Sequence, residues 1–428
     1  MIKSLDAKLA EVRANPNSRA FILADAKDAD MAFGVRAPGL RHYISGRGAR
    51  PAQFSPEVWS RGEFGYRNLP EFLDIIREVT QQGLVDIMLM SAYVSEQLTI
   101  KEGLFRNSHV TPAARANDTT DVWAMRHGSY TKAPAQPFRS ASIDQIQCGK
   151  VECERDGAEF PGANLGLYSV TFVNELERDR QTLLAFKAFR EEAERKRFRY
   201  FLEVFDPNVE SGIPPEKLGE FINDNILRTL AGVPEAGRPL FLKIVYHGPR
   251  AMEELCQYDA NMVVGVLGGS AGTTYDAFRL IHDAQKYGAR VALFGRKINN
   301  AEHQLAFIEM LRLITDGRLD PEEAVRAYHG VLQAKGIPPH RPLEKDLELT
   351  GQVMSYDGRA GRRAMVTVQN KPLALKPAGR EKSQSLLTPA AAVFGDWPKH
   401  PDGSPDFMQM TSVQRLAYDH ARLTRKFG

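Results

Sequence analysis

The run Pro239-Leu-Phe-Leu-Lys-Ile-Val-Tyr246 reads as a buried parallel strand, apolar throughout except at Lys243. An ammonium in such a strand must be paired, displaced toward the strand end, or neutral, because removing its water is costly. A neutral lysine is a nucleophile that forms Schiff bases with carbonyls. The bland reading is a lysine whose stem lies along the strand and whose head pairs with an acid. Two other strand-like runs supply candidate acids. Asp25 ends Ala20-Phe-Ile-Leu-Ala-Asp25, and Glu203 lies within Tyr200-Phe-Leu-Glu-Val-Phe205.

Further runs of this kind alternate with helical patterns along the chain. Strands are expected at 20–25, 84–90, 121–126, 165–173, 199–205, 239–246, 262–267 and 289–294. Helices are expected near 69–82, 175–198, 215–231, 273–287 and 301–335. Alternation of buried strands with helices implies a parallel sheet. Eight units favour a (β/α)8 TIM barrel over a doubly wound open sheet. In such barrels chemistry sits at the C-terminal ends of the strands, where Asp25, Lys243, Gly268-Gly269 and Gly295-Arg296 fall.

Two long segments, 26–68 and 91–120, read as βα-loop insertions that shape substrate choice or serve as surface and oligomer contacts. The second holds Arg106, Asn107, His109, Arg115, Asn117 and Asp118. A short hairpin is expected around Cys148–Cys153. Residues 1–344 are expected to form the barrel. Residues 345–428, with one strand-like run at 363–369, are expected to form an extension packed on the barrel or a neighbouring subunit.

The chain has 428 residues, 43% of them hydrophobic and 25% charged, as in ordinary globular proteins. A net charge of +3 implies neither a nucleic-acid nor a membrane-surface field, and no apolar run reaches transmembrane length. The three cysteines, Cys148, Cys153 and Cys256, show no CxxC spacing and suit a reducing cytoplasm better than a disulfide scaffold, with a redox pair at Cys148 and Cys153 as a minor reading. The ten histidines form no HxH or HExxH cluster, so no histidine-built metal site is expected. Mg²⁺ held by Asp25, Asp28 and Asp30 is the remaining metal reading.

Lys243 with two carboxylates suggests imine chemistry with acid–base help. Carbinolamine dehydration needs a proton donor and acceptor, and C–C cleavage needs a base for a hydroxyl. Glu203 and Asp25 can divide these tasks, with Asp28 or Asp30 able to replace Asp25. The segment Val266-Leu-Gly-Gly-Ser-Ala-Gly-Thr-Thr274 opens a helix and reads as an anion-binding turn at Gly268, Gly269 and Ser270. Its partner is Leu293-Phe-Gly-Arg-Lys297. Loops after strands seven and eight recurrently bind phosphate in these barrels, with Arg296 bidentate and Lys297 a point charge.

Taken in order, Ile22-Leu-Ala-Asp25, Phe201-Leu-Glu203, Leu242-Lys-Ile-Val245, Gly268-Gly269 and Phe294-Gly-Arg296 resemble class I (Schiff-base) aldolases. The likeness is to the branch with tagatose-bisphosphate aldolases and DhnA-like enzymes, and it spans about 20–296. The resemblance implies a (β/α)8 barrel and metal-free aldol cleavage or synthesis of a ketose phosphate or related keto sugar, with no cofactor. It implies Lys243 as the imine lysine, Glu203 as acid/base and Asp25 as the strand-one aspartate. Gly269 and Arg296 fall at the phosphate-binding positions. The extra lysines that some of these enzymes carry on strands three and four have no counterpart. Arg126 is a candidate for one such role, and Tyr168 or Tyr246 for a hydroxyl. The alternatives are a transaldolase-like or isomerase barrel, or a sugar-phosphate-binding barrel without catalysis. A homo-oligomer is expected.

Overall fold

Eight short parallel strands close on themselves in the computed structural model. They are β1 (Ile22–Lys27), β2 (Ile87–Met90), β3 (Thr111–Arg115), β4 (Leu165–Thr171), β5 (Arg199–Phe205), β6 (Leu242–Ile244), β7 (Val264–Leu267) and β8 (Val291–Phe294). The structure describes residues 2–15, 17–39, 66–154, 159–269, 272–350 and 397–411, together with 414, 415, 417, 418 and 421. Each strand pairs with its sequence neighbours, and β1 pairs with both β2 and β8, so the sheet has no free edge. The architecture is a (β/α)8 TIM barrel, as the alternation implies.

The longer helices among the described residues are α1 (Ser4–Ala14), α2 (Leu69–Gln82), α3 (Leu176–Arg195), α4 (Leu218–Ala231), α5 (Pro249–Tyr258), α6 (Thr274–Lys286), α7 (Gln304–Thr315) and α8 (Pro321–Ala334). Helix α2 shows why the local sequence reads so clearly. Asn68 and Glu71 form a reciprocal capping box, Pro70 occupies the first turn, and Gly83 ends the helix at φ 70°. Its buried residues Phe72, Ile76 and Val79 recur at helical spacing and face the barrel.

Strand alternation divides the apolar side chains into two sets. The outward set, including Leu23, Met88, Tyr168, Leu202, Ile244, Val266 and Phe294, meets the helices. The inward set, including Ala24, Leu89, Ala113, Leu167, Phe201, Phe241, Val263 and Leu293, fills the barrel. Leu5, Leu9 and Val12 of α1 join that inner cluster, and the Phe201 and Phe241 rings stack at 4.6 Å. This apolar plug leaves only the C-terminal end of the barrel for polar chemistry.

Three sequence expectations change. The third strand is 111–115, not 121–126, so 91–120 is not a loop insertion. It contains a helical turn, Ala92–Ser95, running into a π turn, and then a barrel strand. Thr111-Pro-Ala-Ala-Arg115 carries one β-branched residue, Thr111, and no aromatic, a weak strand signal broken by Pro112. It is held by parallel pairing with β2, Met88 opposite Pro112, and by small side chains suited to a narrow interior. Thr120–Val122 forms a 3-10 turn, and Trp123 packs its ring against Tyr130 and Phe138. The long βα segment follows β3. It includes a two-residue hairpin, Asp118–Thr119 with Pro137–Phe138. Secondly, β1 runs to Lys27, so Asp25 lies within the strand and not at its end. Thirdly, Ile143–Cys148 is helical where a hairpin was expected, and Cys148 is disulfide-bonded to Cys153.

Two compact units are distinguished, Met1–Val368 and Gln369–Gly428. In the first, residues 345–350 lie against α6. Asp346 accepts from the Thr274 N–H at 2.8 Å, and the Thr350 N–H donates to Asp276 at 2.9 Å. In the second, the Trp397 and Phe407 rings meet Tyr418. The expected strand at 363–369 and most of the 26–68 insertion lie outside the described residues. Among the described residues, no helix is long and apolar enough to cross a membrane.

Asp86, just before β2, ties the N-terminal face together. Its carboxylate meets Lys8 of α1 at 2.9 Å and Arg312 of α7 at 2.8 Å, and accepts from the Leu23 N–H at 2.8 Å. Burial alone would raise its pKa, but Lys8, Arg312 and that N–H bring it below the ordinary carboxylate value. Asp86→Asn should therefore cost about 1–3 kcal/mol at neutral pH, because the partly buried Lys8 and Arg312 lose their buried counter-ion. Asp86 contributes in full above the unfolded carboxylate value of about 3.9, and the contribution is lost as pH falls through its lower folded value. Urea unfolding of wild type and variant across pH should show the gap closing in acid. A gap independent of pH would contradict this role.

Candidate active site

The polar site starts one inward step above the apolar plug. Ala113, Leu167, Phe201 and Phe241 face inward, and two residues further along the same strands stand Arg115, Ser169, Glu203 and Lys243. The period of two puts all four on the inner face. Strand register sets them side by side, Ser169 opposite Glu203 and Glu203 opposite Lys243.

Lys243 Nζ lies 2.5 Å from Glu203 Oε1, with the two side chains 10% and 2% exposed. The other carboxylate oxygen, Oε2, accepts from Ser169 Oγ at 2.7 Å and lies 3.7 Å from Arg115. Arg115 donates to Ser169 Oγ at 3.1 Å and to Asp28 at 2.9 Å. Asn117 clamps the backbone of Ser169, accepting from its N–H at 2.6 Å and donating to its carbonyl at 2.8 Å. Burial opposes the charge on Arg115, but Asp28, Asp118 and Glu203 overcome it and hold the guanidinium protonated. The result is a continuous chain from Lys243 through Glu203, Ser169 and Arg115 to Asp28.

A cavity opens over this chain. Its wall includes Asp28, Arg115, Asp121, Glu203, Lys243, Gly268, Gly269, Gly295 and Arg296. The glycines at its far side are required by space. A Cβ on Gly268 would lie 2.3 Å from the Phe294 ring, and one on Gly295 would lie 2.8 Å from the Ala26 carbonyl. The Arg296 guanidinium sits 5.5 Å over the Phe33 ring. Lys297 is not in the cavity wall. It donates to the Gly272 carbonyl at 2.9 Å, and burial pulls its pKa down to about 8. Ser270 lies outside the described residues.

The structure thus brings Lys243, Glu203, Asp28, Gly268, Gly269, Gly295 and Arg296 to one cavity. It does not bring Asp25, Tyr246, Tyr168 or Arg126 there. Asp25 has outward-facing neighbours, Met88 and Phe294. It is fully buried and pairs with Lys27 at 2.9 Å. Lys27 in turn donates to Asn299 and, at 3.2 Å, to Gln304. Burial pushes the Asp25 carboxyl up and the Lys27 ammonium down, against their mutual attraction. Tyr246 and Tyr168 pack into the outer layer, Tyr168 stacked on Phe189 at 4.3 Å. Arg126 is exposed in a turn.

Arg115, Ser169, Asn117 and Asp121 belong to the site but were not assigned to it from sequence. Ser169 was findable by counting two residues on from the inward Leu167, whereas Arg115 was hidden together with its strand. Asp121 was not findable, because it lies on a turn. Among the described residues, no group of three or more His, Cys, Asp or Glu is placed to hold a metal ion.

No protein-family model and no curated protein matches the chain. Solved structures resemble it over most of its length. An archaeal fructose 1,6-bisphosphate aldolase is 11% identical, covering 72% of this chain and 99% of that one, with a TM-score of 0.48. An archaeal fructose-1,6-bisphosphate aldolase structure with its catalytic lysine bound to a carbinolamine intermediate is 12% identical, with the same coverages and a TM-score of 0.47. A Corynebacterium glutamicum protein is 15% identical over 74% of this chain and 99% of its own, with a TM-score of 0.45. At such identities and TM-scores the likeness decides nothing about chemistry, which must be read from the site's own residues.

The placement of Asp25 is testable. Asp25→Asn leaves Lys27 buried without its counter-ion and should cost about 3–5 kcal/mol in urea unfolding. A paired apolar replacement, Asp25→Leu with Lys27→Met, should recover most of that loss. A neutral single variant would show that the two residues do not form a buried ion pair.

Proposed function

We propose that this barrel is a class I aldolase-like lyase in which Lys243 forms a Schiff base with the carbonyl of a ketose phosphate or related keto sugar. The observation that supports this most strongly is Lys243 Nζ at 2.5 Å from Glu203 Oε1, in the wall of a cavity at the C-terminal end of the strands. A purely structural ion pair has no need of an open cavity beside it.

In this reading Glu203 accepts a proton from the Lys243 ammonium as the carbonyl approaches, freeing the lone pair for attack. The carbinolamine then loses water with Glu203 as proton donor, giving a protonated imine. Ser169 and Arg115 hold Glu203 in place while its charge changes, and Arg115 remains a fixed cation beside it. The imine withdraws electrons from the neighbouring C–C bond. Cleavage leaves an enamine on Lys243, and protonation and hydrolysis release the keto product. The water lost in forming the imine is returned in hydrolysis. The Gly268, Gly269 and Arg296 side of the cavity suits an anion such as phosphate, with the Arg296 guanidinium as donor and the glycines leaving room, while the Gly268 N–H is taken by the Leu293 carbonyl at 2.7 Å.

Retro-aldol turnover of a panel of ketose 1-phosphates, with fructose 1,6-bisphosphate included, tests the reading. At least one should be cleaved, and Lys243→Met should abolish cleavage while remaining folded, because Glu203 keeps Ser169 and Arg115. Activity should also survive prolonged chelation. Full turnover by Lys243→Met would overturn the assignment, and loss on chelation with specific restoration by zinc would point to metal chemistry instead.

Arg296→Ala removes a charge-assisted contact worth ~1.5–3 kcal/mol. The expected loss is roughly ten- to a hundredfold in affinity for a phosphorylated ligand, and much less for its unphosphorylated analogue. Equal losses for both, with the fold intact, would show that Arg296 does not read phosphate.

A further inference from the structure

The polar tier that holds Glu203 and Lys243 lies beneath a second apolar tier. Two residues on from Glu203, Lys243 and Gly265, the period of two puts Phe205, Val245 and Leu267 on the inner face. They form one cluster, 7%, 4% and 5% exposed, and Val122 packs against it. Val122 also packs against a separate cluster that includes Ala29, Ala32 and Phe33, which follow β1. Strands β1 and β5 stand opposite each other in the closed order. The turn Thr120–Val122 thus joins apolar side chains across the barrel mouth. It is fixed on both sides, since Thr171 donates to Asp121 at 3.0 Å and the Ala124 N–H donates to the Ala32 carbonyl at 2.9 Å. Phe33, Val122, Phe205 and Leu267 all line the cavity that holds Lys243.

A ligand that reaches Lys243 therefore lies against an apolar wall. Carbon placed there leaves water favourably, whereas a phosphate placed there loses its hydration without a partner. The charges of the wall point the same way. Lys243 and Arg115 are committed to Glu203 and Asp28, so the anion reading rests on Arg296, just after β8. Strand β4 faces β8 across the barrel. Its last residue, Thr171, holds the Asp121 carboxyl, and Phe205 ends the adjacent β5. That side offers an incoming phosphate a carboxyl and apolar surface, both of which discriminate against it.

We propose that the substrate is anionic at one end and apolar at the other, a ketose 1-phosphate whose terminal carbon is a methyl group, cleaved to dihydroxyacetone phosphate and a short aliphatic aldehyde such as lactaldehyde. This rests on the imine reading of Lys243 and narrows its substrate. The phosphate lies toward Arg296, and the methyl lies against Val122 and Phe205. The atoms balance within the ketose. The C3–C4 bond breaks, and its electrons pass through the enamine into a new C–H bond at C3. The C4 hydroxyl becomes the aldehyde carbonyl, and the proton it gives up matches the one gained at C3.

The test joins dihydroxyacetone phosphate to lactaldehyde, glyceraldehyde or glyceraldehyde 3-phosphate. These differ only at the terminal carbon, which is a methyl, a hydroxymethyl or a phosphate ester. Wild type, Val122→Ser and Val122→Lys are compared by kcat/KM for each aldehyde. The ratio between aldehydes within one protein does not depend on how much of it is active. Wild type is also incubated with dihydroxyacetone phosphate and borohydride, and the reduced adduct is read by intact mass. Wild type should form the adduct and use lactaldehyde roughly ten- to a hundredfold better than glyceraldehyde 3-phosphate, the discrimination an apolar pocket achieves on one small group. Val122→Ser should lose most of that preference, and Val122→Lys should shift it toward glyceraldehyde 3-phosphate. An adduct in wild type with glyceraldehyde 3-phosphate used as well as lactaldehyde, or with none of the three used, would overturn the proposal while leaving the imine. So would a wild-type preference that both variants keep. No adduct in wild type would instead remove the imine reading, and this proposal with it.

Discussion

The two-residue period of a barrel strand decides which side chains can meet a ligand. A residue on the inner face shares a narrow space with seven other strands, whereas its neighbour faces the helices. Lys243 and Glu203 are chemically interesting because both lie on the inner face, one step above an apolar plug. Asp25 and Lys27 make an ion pair of similar composition one face away, where no ligand reaches. A lysine–carboxylate pair therefore lines the candidate site in one case and the barrel wall in the other.

That division explains what the sequence made legible. The barrel could be read because its strands are short apolar runs separated by amphipathic helices, and helix α2 carries its caps in its own sequence. Lys243 and Glu203 could be read because a charge within an apolar run is conspicuous. Asp25 was conspicuous for the same reason, but its assignment depended on where β1 ends. Two more residues of strand moved the useful carboxylate to Asp28. Strand β3 was hidden, since Thr111-Pro-Ala-Ala-Arg115 is selected by the space inside the barrel and not by β-propensity. With β3 misplaced, Arg115 became a loop residue, and the hub of the electrostatic chain was missed.

The site's electrostatics also favour a division of labour. Arg115 holds Asp28 and stands beside Glu203, and neither acid can drift toward solvent while that guanidinium stays charged. Ser169 and Asn117 fix the position of Glu203 beside Lys243 from the backbone, which is what the proposed proton exchange between the two would require. The glycines at 268 and 295 leave space on the opposite wall, where Arg296 supplies positive charge. Cations therefore lie on both sides of a cavity whose remaining polar wall is acidic. That arrangement is suited to a substrate with one anionic end and several hydroxyls.

The most direct measurement of the central claim is peptide mapping after borohydride reduction in the presence of a cleaved ketose phosphate. Reduction fixes an imine on the nitrogen that formed it, so the label reports the nucleophile without assuming its identity. The account predicts one substrate-derived addition on the peptide containing Lys243. Label on Lys27, Lys297 or any other lysine in its place, or turnover with no trapped adduct, would contradict it.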